Sequence, residues 1–93
     1  MAALSGQTTV TTAGTAVALG SVQINGPLMV RALTGNTGFM YVGSDGAGDV
    51  TSANGFELDA GEYIIFEWVG NLGSLWVDSS VNGEKVCWIA LDA

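Results

Sequence analysis

The chain has 93 residues, 48% hydrophobic and 12% charged, with nine Asp/Glu against two Lys/Arg, no His and a formal net charge of −7. That length fits one domain, with about 5,000 Å² of surface when folded against about 14,000 Å² extended, enough for a small core. The low charge content argues against a disordered tail, and the absence of His excludes His-based catalytic sites and Cys₂His₂ zinc fingers.

The predicted elements are all short strands. Met1–Gly6 carries no basic segment and no apolar run, so it reads as a short N-terminal arm rather than a signal peptide, and synthesis in the cytosol is expected. Residues 7–93 then form a single β domain. Gln7–Thr12 is a Thr/Val strand closed by Ala13-Gly14, and Ala16–Leu19 is a second. Gly26-Pro27 opens Leu28–Leu33, and Gly35-Asn36 leads into Phe39–Val42. Val50–Thr51 is a marginal strand, followed by Phe56–Leu58, Tyr63–Val69, Leu75–Val77 and Val86–Leu91. Helical periodicity is nearly absent, and β-branched and aromatic runs alternate with Gly/Asn/Asp clusters. The predicted fold is therefore all-β, a small antiparallel β-sandwich or barrel of about 7–9 short strands. Asn-Gly at 25–26, 54–55 and 82–83 and Asp-Gly at 45–46 suit hairpin turns with positive φ. Asn82-Gly83 gives the clearest such signal, and Asp59–Glu62 predicts another tight turn.

Alternation assigns the faces. Ile64, Phe66 and Trp68 oppose Tyr63, Ile65 and Glu67. Val86, Trp88 and Ala90 oppose Cys87, Ile89 and Leu91. Leu28, Val30 and Ala32 oppose Met29, Arg31 and Leu33. A half-solvated sheet is apolar on one side only. These strands are apolar on both, so either the domain covers both faces itself or one face meets a partner. With its aromatics and aliphatics together, the chain exceeds what one small interior is expected to enclose, and the surplus predicts an interface. Trp76, Leu75, Leu72, Arg31 and Trp68 are the candidate contact residues. Arg31 sits mid-strand among apolar neighbours. It calls for a carboxylate such as Glu67, a partner across an interface, or solvent at an edge.

Site chemistry is sparse. Cys87 is the single cysteine, so no internal disulfide forms, and it reads as a small buried hydrophobe. Glu57 and Asp59 share a strand face, with Cβ atoms about 7 Å apart, but a chain this short offers little room for a glycosidase cleft. Asp45–Asp49 has two carboxylates in a Gly-rich loop without the spacing of a calcium-binding motif, and it reads as a solvated loop with calcium left open. No cofactor is expected. A strongly acidic chain with two cations repels phosphate, so neither nucleic acid nor an anionic membrane is an expected partner. No apolar run approaches the roughly 20 residues of a membrane span.

Several segments are similar to small virion-associated proteins of tailed phages and prophages. They are residues 9–19 (TVTTAGTAVAL), 30–38 (VRALTGNTG) with 41–43 (YVG), 53–62 (ANGFELDAGE) and 75–84 (LWVDSSVNGE). Together they span most of residues 9–91. They are turn and strand patterns, so they carry no binding residue across. The Asp45–Asp49 tip is longer and richer in glycine than that pattern. The resemblance implies a structural role in the particle, foremost as a capsid decoration (cement) protein on the outer surface of the head. Its partners would be the major capsid protein and further copies of itself, with a trimer as the expected form. The alternative is a tail, baseplate or fibre component with a host-surface or glycan-binding role. A small enzyme or inhibitor is the least supported class.

Overall fold

The computed structural model describes residues 3–44 and 50–92. Eight strands follow in chain order: β1 Leu4–Val10, β2 Val17–Ala18, β3 Leu28–Ala32, β4 Met40–Gly43, β5 Phe56–Leu58, β6 Tyr63–Phe66, β7 Trp76–Ser79 and β8 Glu84–Ala90, with one 3-10 turn at Leu72–Ser74. They form two antiparallel four-stranded sheets. Sheet I has the order β1-β8-β3-β6 and sheet II the order β2-β7-β4-β5. The predicted small antiparallel β-sandwich is what the structure shows. Only β4 and β5 are both consecutive and paired; every other link crosses between sheets. This strand order is that of an eight-stranded jelly roll.

The core lies between the sheets. Sheet I contributes Val10, Leu28, Val30, Ala32, Val86 and Ala90, and sheet II contributes Met40, Val42, Leu58 and Val77. Leu19, Ile24, Leu72 and Leu75 complete it from the links. Each fully buried Val, Leu or Ile stabilises the fold by about 1.5–3 kcal/mol. Trp88 lies at the margin of this cluster against Gly6, its register partner on β1. A Cβ on Gly6 would stand 2.7 Å from Trp88 Cζ2, so the close approach requires glycine. The Trp88 Nε1 donates to Thr8 Oγ1 at 3.2 Å, and that hydroxyl donates to Leu19 O at 2.7 Å, tying β1 to the end of β2.

Several sequence expectations need correction. Leu4–Gly6 are not an arm, because they pair with Trp88–Ala90 inside β1. Asn82-Gly83 makes no hairpin, since β7 and β8 belong to different sheets. Gly83 does have a positive φ of 80°, but among the described residues no non-glycine does, so none of the described Asn-Gly pairs adopts the double positive-φ turn. Asn82 Oδ1 instead accepts from Ala13 N, and Gly83 N donates to Val10 O. Asp59–Glu62 is a tight turn, closed by Glu62 N to Asp59 O at 2.9 Å with Gly61 at φ 84°, yet it too carries the chain across to the other sheet. Val50 and Thr51 form no strand. Val50 is buried in place, and Thr51 O accepts from Gly55 N to close a turn. The sixth strand stops at Phe66, which leaves Trp68 outside it, and the seventh starts at Trp76 rather than Leu75. The 3-10 turn between them was unexpected. Asn71 caps it by accepting from Gly73 N at 2.8 Å.

Candidate contact surface

The two sheets turn different outer faces to their surroundings. On sheet I the register aligns two rows of outward side chains. One row runs Ser5, Ile89, Met29, Ile65, and the next runs Gln7, Cys87, Arg31, Tyr63. Ile65 is 55% exposed, Tyr63 58% and Leu91, just past β8, 59%. Met29 and Cys87 are half-buried. Shallow depressions run between these side chains, one lined by Pro27, Leu28, Met29, Ile65, Ile89 and Leu91, its neighbour by Met29, Arg31, Cys87, Trp88 and Ile89. This is a continuous apolar surface of the kind that marks an interaction site.

Charge is unevenly distributed over the fold. Arg31 and Lys85, the two cations of the chain, both occupy outward positions of sheet I. No outward strand position of that sheet carries a carboxylate. Arg31 is exposed and has no ion-pair partner among the described residues, so the suggested pairing with Glu67 is not made within this chain.

The centre of sheet II's outer face is covered by the protein's own turns. Tyr41 lies opposite Asp78 and Glu57 on its outer face, yet Tyr41 is 6% exposed and Asp78 4%. The turn at 12–15 docks on this face through Gly14 N to Asp78 Oδ1 at 3.0 Å and Ala13 N to Asn82 Oδ1 at 2.8 Å. Asp78 Oδ1 also accepts from Ser79 N at 2.8 Å. The turn at 51–55 closes over Tyr41 from the other side, where a Cβ on Gly55 would stand 2.8 Å from Tyr41 Cβ. A second buried carboxylate fixes the link ahead of β4. Glu84 Oε1 accepts from Thr37 N and Gly38 N, both at 2.6 Å. Charge-assisted bonds of this length are the strong ones, and this pair holds a loop rather than a ligand.

At the rim where the sheets meet, Phe56, Glu57, Leu58, Gly61, Glu62 and Tyr63 line an open groove. Phe56 is 56% exposed there, and both carboxylates are exposed. Glu62 Oε1 accepts from Asp59 N at 2.8 Å, which leaves Glu57 as the freer charge.

The five candidate contact residues divide. Leu72 and Leu75 are 1% and 7% exposed and belong to the core, so they offer nothing to a partner. They are buried because the link from β6 to β7 crosses the end of the sandwich and closes it. Trp76 is half-buried on the outer face of sheet II, between Ala18 and Gly43. Trp68 is 69% exposed, beyond β6, with its ring over Gly70. Of the five, Arg31 alone lies in the apolar rows of sheet I. Ile65, Ile89, Met29 and Leu91 are contact candidates that the sequence does not single out: alternation separates them from Ile64, Trp88 and Leu28, but only the strand register brings them onto one outward face.

The described residues hold no group of three His, Cys, Asp or Glu that could bind a metal, and no helix among them is long and apolar enough to cross a membrane. The Asp45–Asp49 loop, the sequence's candidate for calcium, lies outside the described residues. Comparison of the chain with family models, with curated proteins and with solved structures finds no match in any of the three.

Proposed function

We propose that this chain is a non-enzymatic structural protein of a phage particle, a decoration protein that binds the outer surface of the head and stabilises contacts between major capsid subunits. The observation that carries this reading is the uncovered apolar face of sheet I, a surface that assembly on the particle would cover through a capsid subunit or a neighbouring copy. A small sandwich that covers one outer face with its own turns and leaves the other bare is suited to area-driven binding, which needs no cofactor. The segment-by-segment similarity to virion-associated proteins supports the same role, and jelly rolls recur in capsid and lectin domains. A strongly acidic chain adds solubility at high copy number and steers the protein away from nucleic acid. Assembly with further copies, a trimer being the expected form, would raise apparent affinity by simultaneous engagement.

Mixing the purified chain with particles that lack it tests the proposal. Hundreds of copies per particle, with density on the head, are expected. A few to some dozens of copies confined to the tail would replace this reading with a tail or fibre role, for which the exposed Trp68 ring is a candidate glycan-stacking surface.

A further inference from the structure

We propose that copies of this chain join head to tail, the outer face of sheet I on one copy seated on the acidic groove of the next, and that the series closes into a small ring. This deepens the self-association in the reading above: the sheet I face is covered by the neighbouring copy, and the ring meets the particle through its remaining surface.

Charge complementarity selects a second copy as the occupant. The apolar face of sheet I carries Arg31 and Lys85 and no outward carboxylate, in a chain of net charge −7. The groove at the rim offers the complement, with Phe56 and Tyr63 as exposed apolar side chains and Glu57 and Glu62 as exposed carboxylates. Each copy therefore presents an apolar-cationic surface and an apolar-acidic one. Pairing two sheet I faces symmetrically would set cations against cations with no strand carboxylate to neutralise them, which like-charge repulsion opposes. The head-to-tail arrangement instead brings Arg31 to Glu57 of the next copy, where partial desolvation strengthens the pair.

Closure follows from where the two surfaces lie. A head-to-tail contact runs on as a filament when its surfaces occupy opposite sides of the subunit, and closes when they are inclined to each other. A ring of three needs contact planes meeting at about 120°, a ring of four at about 90°. Here Tyr63 belongs to both surfaces, as an outward residue of sheet I and as a wall of the groove. The surfaces thus meet along β6 rather than facing opposite ways, and Tyr63 lies on the side toward the ring axis.

Sedimentation velocity on the purified full chain at micromolar concentration tests this. The wild type is expected to give one closed species larger than a dimer, weakened by high salt. Arg31→Glu and Glu57→Lys each weaken association by about tenfold or more, Arg31→Gln by less, and the double charge reversal restores it. Both side chains are exposed, so thermal unfolding of the diluted variants stays at the wild-type temperature. A monomer at high micromolar concentration would overturn self-association altogether. A closed oligomer indifferent to both reversals would place the contact elsewhere and overturn this pairing of surfaces alone. A dimer that grows no further would overturn the ring.

Discussion

The two outer faces of the sandwich start from similar material and end differently. Both carry aromatic or aliphatic side chains at outward positions: Tyr41 and Trp76 on sheet II, Met29, Tyr63, Ile65 and Ile89 on sheet I. On sheet II the turns at 12–15 and 51–55 fold back over Tyr41, and a buried Asp78 anchors the first of them by accepting from Gly14 N. On sheet I no described segment does so, and Ile65 remains more than half exposed. Apolar content alone therefore does not say which face seeks a partner. The deciding feature is whether the flanking turns carry polar anchors that dock on the sheet.

Substitutions at matched outward positions would sharpen or break this contrast. Tyr41→Ala on the covered face should cost about 3 kcal/mol or more in urea unfolding, as for a buried aromatic. A loss below about 1 kcal/mol would mean that the covering turns contribute little. Asp78→Ala, which strips Gly14 N and Ser79 N of their acceptor, should cost about 1–3 kcal/mol and release the 12–15 turn to faster amide exchange. Gly6→Ala probes the interior side of sheet I, where the added methyl meets the Trp88 ring; a loss of about 1–3 kcal/mol is expected, with a changed tryptophan emission. Ile65→Ser on the bare face should change the stability of the diluted chain by no more than about 0.5 kcal/mol. Its effect should fall on association instead. A large loss of stability in the monomer would show that the face is already covered.

Much of the architecture was legible because strand alternation is a local property. The sets Leu28/Val30/Ala32 and Val86/Trp88/Ala90, against Met29/Arg31 and Cys87/Ile89, follow from a period of two; which set faces inward does not, because both are largely apolar. Pairing was less legible. Asn82-Gly83 bends the chain as its composition suggests, but whether a bend makes a hairpin or a crossing depends on where β8 finds neighbours. It finds them in β1 and β3, far away in sequence. The extent of β1 was hidden for a related reason. Leu4-Ser5-Gly6 has weak strand character alone, and only pairing with Trp88–Ala90 makes it a strand. The contact surface was misjudged where hydrophobicity stood in for exposure. Leu72 and Leu75 sit in a link, and that link plugs the end of the core.

The central claim is that the outer face of sheet I is covered by another surface in the working protein. Hydroxyl-radical footprinting of Met29, Ile65 and Ile89, across a dilution series and on reconstituted particles, tests it most directly. Labelling that falls as the chain associates or docks, while exposed Val22 on the link from β2 to β3 labels equally throughout, is the predicted result. Equal labelling of all three sheet I residues in the dilute, concentrated and particle-bound states would contradict it.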